Sequence, residues 1–230
     1  MCYDRRPFLE ALPPDRIYQF LLSYVVLLFS LSVHESAHAW MALRMGDRTA
    51  ADAGRITLNP IPHIDPIGTV LMPVLQMLSA GIPLLAWAKP TPVQARNFRP
   101  GMLRRGQILV AGAGPVSNFV LALLFTGGFL IVKATGAELP SHHPVMRILS
   151  VGLLLNVMLG VFNLIPLPPL DGSWIASWGL PRPLAAQYDR IMEPYGQWIL
   201  LIAFVTGALG FVTRPLTTAI LNMLVHLMQF

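Results

Sequence analysis

Long apolar runs, separated by short polar stretches, constrain the fold of this chain more than any other feature. The first run covers residues 17–43, and crossing the hydrocarbon core of a bilayer takes about 20 residues in a helix. Further apolar runs follow at 67–87, 107–132, 148–165, 197–212 and 216–228. Only 12% of the residues are charged, against about 25% in soluble domains. We therefore predict an all-α polytopic membrane protein with five to six apolar helical segments.

The charge distribution argues against a nucleic-acid partner. The formal net charge is +5, but the basic residues lie between the apolar runs, as in the loops of membrane proteins. We therefore expect a lipid bilayer as the surroundings and no nucleic acid. The single cysteine, Cys2, excludes an intrachain disulfide bond.

The chain holds 21 prolines and 18 glycines, which are many for simple spanning helices. Irregular backbone at membrane depth is tolerated only where protein or a cavity covers it. The run 67–87 is broken by Pro73, Gly81 and Pro83, and the stretches 55–58 and 89–93 are candidates for short strands. We expect these irregular segments to lie near a functional site.

One apolar run contains the sequence His34-Glu35-Ser36-Ala37-His38. Four residues turn a helix by about 400°, so both histidines share a face, one turn apart. This spacing lets two imidazoles bind one Zn²⁺ while the glutamate acts as general base. The alternative, a packed polar cluster or an inactive relic, must explain why ionisable groups, which are costly in a membrane, occur here.

A catalytic zinc site needs a third protein ligand and an open position for water. Glu10, Glu138 and Glu193 are isolated and lie in predicted loops. Asp171 closes the run 148–165 after several prolines, which end a helix, and it is our candidate. The alternative is an aspartate that only terminates a helix or forms a turn.

Three motifs together resemble the site-2 protease family of intramembrane zinc metalloproteases. They are the His-Glu-x-x-His motif, the stretch from Ala113 to Asn118, and Asn-x-x-Pro-x-Pro-x-Leu-Asp-Gly from Asn163 to Gly172. The resemblance implies that His34, His38 and Asp171 bind zinc and that Glu35 is catalytic. It also implies that Asn163 holds the substrate backbone, and it makes Asn118 a candidate partner of a zinc ligand.

The implied function is the hydrolysis of peptide bonds in or near transmembrane segments of membrane proteins. We expect one membrane domain, 1–230, with a core at 20–175 and accessory helices at 176–230. We expect the compact form of the family, without a PDZ-like or nucleotide-binding domain, in a prokaryotic plasma membrane. The alternatives are a non-catalytic scaffold or transporter with a relic zinc site, and another metalloprotease with glutamate as third ligand, for which no suitable helical glutamate exists.

His63 and Asp65 lie in a proline-rich turn between the first two apolar runs. They are candidates for a transition-state donor pair or for partners of the zinc ligands. The alternative, turn residues that cap the next apolar run, is favoured by their position.

The topology must bring the candidate ligands together. His34, His38 and Asp171 lie toward the carboxyl ends of their runs, so those helices must run in the same direction. One full span between them satisfies this, so we predict that 67–87 is re-entrant. Ten of the 16 Lys and Arg residues then lie on the zinc-proximal side, which predicts a cytoplasmic active site. A spanning 67–87 gives the same count, so charge alone does not decide.

Overall fold

The structure is a computed structural model that describes residues 14–78 and 86–229, and these residues are mostly helical. A π-helical turn, Pro66–Leu71, leads directly into α3, and 3₁₀ turns occur at Ile61–His63 and Ala95–Asn97. The helices are α1 (Pro14–Met45), α2 (Thr49–Asp52), α3 (Met72–Leu78), α4 (Leu103–Ala134), α5 (Pro144–Asn163), α6 (Asp171–Gly179), α7 (Arg182–Val205) and α8 (Ala208–Gln229).

Four of the described helices, α1, α4, α5 and α8, are long and apolar enough to cross a membrane. Three of them coincide with the predicted runs 17–43, 107–132 and 148–165. The prediction of a mostly helical membrane protein is confirmed.

The predicted span at 197–212 is wrong. Helix α7 ends at Val205, and α8 begins at Ala208, so the chain turns in the middle of this run. Gly207 has φ of +73°, a left-handed conformation that commonly ends helices. Hydropathy is continuous across the break and does not reveal it. The uncertain run 216–228 is instead part of the longer helix α8.

The predicted strands at 55–58 and 89–93 do not form, and the described residues contain no strand. In the first stretch the carbonyls of Arg55 and Thr57 accept from the Ser36 hydroxyl instead of from a strand. The second stretch contains Pro90 and Pro92, which have no N–H to offer a ladder.

Helix α4 lies at the centre of the bundle, where it packs against α1, α5 and α6. Small residues let the helices approach closely, as is common in membrane bundles. The Phe119 ring of α4 lies over Gly160 of α5, and Phe125 lies over Gly152. A side-chain carbon at either glycine would fall within 3 Å of the ring.

Trp87 lies beside Gly68 and Thr69 of the π-helical turn, although these residues are almost 20 positions apart in the sequence. Residues 79–85 lie outside the described part of the chain, but Trp87 lies against Gly68, and its N–H donates to the Gly68 carbonyl at 3.3 Å. The Thr69 hydroxyl donates to the Trp87 carbonyl at 2.8 Å. The residues after the segment therefore lie beside the residues that begin it.

Candidate metal centre

His34 and His38 lie one turn apart on α1 and are nearly buried, with exposed fractions of 5% and 8%. Their Nε2 atoms are 3.0 Å apart. The helical spacing therefore brings the two rings together as the sequence predicted.

The partners of the two Nδ1 atoms define which ring nitrogens are free. His34 Nδ1 lies 2.6 Å from the Asn118 Oδ1, and His38 Nδ1 lies 2.7 Å from the Val110 carbonyl oxygen. Both partners are acceptors, so both Nδ1 atoms carry the proton that they donate. In the neutral rings, the Nε2 lone pairs then face each other.

Asp171, the first residue of α6, completes the cluster. Its Oδ2 lies 3.2 Å from His34 Nε2, and its Oδ1 lies 3.4 Å from His38 Nε2. Burial opposes ionisation of Asp171, but the two imidazoles beside it outweigh burial and hold the pKa of the carboxyl well below its usual range.

Four electron-pair donor atoms thus converge at one point, and a cation between them would make this arrangement favourable. Two imidazole nitrogens and one carboxylate are the donor set of catalytic zinc sites, which leave one position open. Asp171 Oδ2 is buried without a hydrogen-bond partner among the described residues, as expected of an atom that would bind a metal. The residues present therefore fit Zn²⁺.

Gly114 of α4 makes the space for this cluster. A Cβ atom at this position would lie 2.4 Å from His38 Nε2 and 2.5 Å from His34 Nε2. Only glycine lets α4 pass so close to the two rings.

Glu35 lies beside the two histidines, and the ligand-capable atoms of these three residues are all within 4.8 Å of one another. Its Oε2 accepts from the Thr91 N–H at 2.9 Å and from the Thr91 hydroxyl at 2.7 Å. The buried Arg55 guanidinium lies 3.9 Å from the same oxygen and donates to the Lys89 carbonyl. Two hydrogen bonds from Thr91 therefore hold the Glu35 carboxylate, and the Arg55 charge lies close to it.

Two basic side chains near Glu35 have shifted pKa values. Burial lowers the pKa of Arg55, and the nearby Glu35 opposes this shift. Burial also lowers the pKa of His63, assisted by the charge of Arg55 and opposed by the bond to the Thr57 carbonyl. His63 is therefore neutral at pH 7, whereas an arginine guanidinium keeps its charge in proteins.

The segment that carries Thr91 is anchored by Asp47, a fully buried residue in the loop after α1. Its carboxylate accepts from the Gln94 N–H, the Asn97 amide and the Thr49 hydroxyl. Burial opposes ionisation of Asp47, but these hydrogen bonds lower its pKa. The anchor fixes residues 91–97 along the last turns of α1, next to Glu35.

A cavity of about 800 Å³ opens onto the cluster. Its lining includes all four of the predicted catalytic and metal residues, together with Asn163, whose amide donates to the Leu159 carbonyl at 3.0 Å. The cavity is otherwise mostly apolar, with Trp87, Trp174 and Trp198 in its wall. It can admit an apolar peptide segment to the cluster.

The remaining candidates lie apart from the two histidines. Asp65 accepts from the N–H groups of Ile67 and Gly68, so it caps the π-helical turn, which is the alternative that its position favoured. His63 bonds the Thr57 carbonyl at 3.0 Å and lies on the Arg55 side of Glu35.

Sequence reasoning missed Thr91, Arg55 and Asn156 as members of this site. Asn156 of α5 accepts from the Asn118 amide at 2.9 Å. Asparagine within an apolar run was a usable signal, because buried polar groups need partners. Thr91 carried no such signal of its own, although the stretch 89–93 that contains it was expected to lie near a functional site.

Comparisons with known proteins agree with this geometry. The family model described as Peptidase family M50 matches residues 127–203. The "Putative zinc metalloprotease YwhC" of Bacillus subtilis is 41% identical over 86% of this chain and 88% of its own length. The "Putative zinc metalloprotease Rip2" of Mycolicibacterium smegmatis is 32% identical over 83% of this chain and 69% of its own length. No solved structure gives a significant match.

The apolar helices and the buried cluster define a class, the zinc metalloproteases of the membrane. Within it, the chain belongs to peptidase family M50, the site-2 protease family, as the three motifs predicted. The prediction of zinc as cofactor is confirmed by the names of the relatives together with the His-Glu-His cluster.

Proposed function

We propose that this protein is an intramembrane endopeptidase that cleaves membrane proteins in or next to their transmembrane segments. His34, His38 and Asp171 hold Zn²⁺, and Glu35 is the general base and acid. One observation carries the proposal: two imidazole nitrogens and a carboxylate converge at a buried point, with the Glu35 carboxylate beside them.

Zn²⁺ bound there supplies Lewis acidity, which polarises a peptide carbonyl and makes water acidic enough to react near neutral pH. The Glu35 carboxylate takes the proton of the attacking water and passes it to the leaving amine nitrogen. Thr91 and Arg55 support this role, because they hold the carboxylate in one orientation without protonating it. The apolar wall of the cavity keeps bulk water away from the reacting groups.

The substrate must reach the site as extended chain, because a helix hides its peptide carbonyls in its own hydrogen bonds. Ala88, Pro90, Thr91 and Val93 line the cavity beside Glu35, in a stretch that is neither helix nor strand. An unwound substrate segment could pair with this stretch. Pro90 and Pro92 have no backbone N–H, so this stretch would pair with the substrate mainly through its carbonyl oxygens. Asn163 lies in the same cavity, where its amide could hold the substrate backbone.

We also propose that residues 67–87 enter and leave the membrane on one side. The helical part, Pro66–Leu78, has 13 residues, or about 20 Å of helix, less than the roughly 30 Å hydrocarbon core. The contact of Trp87 with Gly68 supports the same reading. Residues 44–106, with their eight basic side chains, then lie on the cytoplasmic side together with the zinc site.

A cleavage assay in detergent, with a model transmembrane substrate, tests the proposal. We expect Glu35→Gln to retain zinc and lose at least about 100-fold in kcat, since general acid–base catalysis contributes roughly 10²–10⁴-fold. Asp171→Ala should lower bound zinc, measured by metal analysis of the purified protein. Glu138→Gln, in a loop far along the chain, is the matched control and should behave as wild type.

Two outcomes would contradict the proposal. Unchanged cleavage by Glu35→Gln would remove Glu35 from the mechanism, and undiminished zinc in Asp171→Ala would remove Asp171 from the ligands. Zinc binding without cleavage of any transmembrane substrate by the wild type would favour a non-catalytic scaffold or transporter.

A further inference from the structure

A line of buried polar groups runs from the candidate metal centre into the apolar interior of the bundle. It joins His34 and Ser30 of α1 with Asn118 of α4 and Asn156 of α5. Both asparagines and Ser30 are fully buried, with no exposed surface. Polar groups at this depth are costly, and this line ends on a candidate zinc ligand.

The hydrogen bonds give each amide group a single orientation. Asn156 Nδ2 donates to the Ser30 hydroxyl oxygen at 2.9 Å and to the Gly152 carbonyl at 2.8 Å. Asn156 Oδ1 therefore faces Asn118 and accepts from its Nδ2 at 2.9 Å. Asn118 Oδ1 is left to accept from His34 Nδ1 at 2.6 Å.

Reversing either amide would break this order. A reversed Asn118 would set its NH₂ group against the Nδ1–H of His34 and its oxygen against the Asn156 oxygen. A reversed Asn156 would set its oxygen against the Gly152 carbonyl. Each reversal replaces attraction with repulsion at two contacts, in an apolar region where electrostatic effects are strong.

We propose that Asn156 is a positioning residue for the metal centre: it fixes the Asn118 amide, which in turn holds His34 with its proton on Nδ1 and its Nε2 free for zinc. The Ser30 hydroxyl and the Gly152 carbonyl anchor the far end of this relay. The inference rests on the proposed zinc-binding role of His34. It adds a residue that contacts neither zinc nor substrate and whose effect passes entirely through Asn118.

Zinc affinity of the full chain in detergent tests the relay, measured by competition with a chromophoric chelator. Loss of a partner of a metal ligand costs about 10- to 100-fold in metal affinity. We expect Asn156→Leu to weaken zinc binding about tenfold and Asn118→Leu by at least as much. The absorption spectrum of the Co²⁺-substituted protein should change in both variants, because the His34 ring loses its fixed orientation.

A double variant separates a relay from a general packing effect. If Asn156 acts only through Asn118, adding Asn156→Leu to Asn118→Leu should weaken zinc binding no further. Thr126→Val is the matched control, because Thr126 is a buried polar residue of α4 that bonds only its own helix, at the Ala122 carbonyl. This variant should keep the wild-type zinc affinity and Co²⁺ spectrum.

Conservative variants guard against a folding defect. Asn156→Ser can satisfy the Gly152 carbonyl but is too short to reach Asn118, so it should bind zinc as weakly as Asn156→Leu. Asn156→Asp, which burial in this apolar region keeps protonated, retains an oxygen facing Asn118 and a hydroxyl for the Gly152 carbonyl, so it should recover most of the lost affinity.

Wild-type zinc affinity in both Asn156→Leu and Asn156→Ser would overturn the relay, and so would additive effects in the double variant. Failure of the proposed function has a different signature, since His34→Ala would then leave zinc binding unchanged. A wild type that needs His34 for zinc but not Asn156 would refute only this inference.

Discussion

Replacing Gly114 with alanine tests whether the close passage of α4 creates the metal centre. The added carbon would lie 2.4 Å from His38 Nε2 and 2.5 Å from His34 Nε2, whereas ordinary contacts begin near 3.4 Å. The rings or the helix must therefore retreat by about 1 Å, which exceeds the roughly 0.2 Å tolerance of metal–ligand distances. Gly114→Ala should thus damage the site even though alanine is a better helix former.

The expected magnitude follows from the cost of overpacking. Forcing an extra carbon into a packed site costs about 1–3 kcal/mol. At about 1.4 kcal/mol for each tenfold change, zinc affinity should fall by about 5- to 150-fold, and cleavage at limiting zinc should fall with it. The measurement is a chelator competition for zinc in detergent, with circular dichroism to verify that the helices remain.

Gly112→Ala provides a control on the same helix, because a Cβ there would meet nothing within 4 Å. It should keep wild-type zinc affinity. The reasoning is refuted if Gly114→Ala binds zinc as tightly as Gly112→Ala. The His34 and His38 rings would then tolerate a methyl group at position 114.

Two further predictions concern catalysis and topology. Thr91→Val keeps the side-chain shape and the backbone N–H but removes the hydroxyl bond to Glu35. We expect kcat to fall about tenfold, or about 1.4 kcal/mol, with zinc content unchanged and kcat restored in Thr91→Ser. An unaltered kcat would show that the hydroxyl does not position Glu35. Single cysteines at Asn59 and Arg96, placed in a chain with Cys2→Ser, should react with an impermeant thiol reagent from the same side of the membrane. Labelling from opposite sides would contradict a re-entrant 67–87.

Parts of this architecture could be predicted because they depend on residues close together in the chain. Apolar runs locate α1, α4 and α5, since a bilayer demands length and hydropathy from each helix separately. The pairing of His34 with His38 follows from helical periodicity alone. Family membership likewise follows from motifs, each of which is a short local pattern.

Other parts were not predicted, one for a local reason and one because it depends on residues that are distant in sequence. The 197–212 span failed because a left-handed glycine at 207 ends a helix without changing hydropathy. The predicted strands do not form because an extended segment becomes a strand only when a second strand pairs with it. The carbonyls of Arg55 and Thr57 instead accept from the Ser36 hydroxyl.

The amino-acid sequence by itself determined that this is a membrane protein, that it carries a histidine pair suited to zinc, and that it belongs to the site-2 protease family. The motifs also made Asp171 and Asn118 candidates for contact with this pair. Only the tertiary structure decided that Gly114 lies against the two rings, that Asn156 bonds Asn118, and that Thr91 bonds Glu35. The physical reason is that hydropathy and periodicity act along one segment. Hydrogen bonds and close packing between residues 56 to 137 positions apart exist only once the helices are assembled.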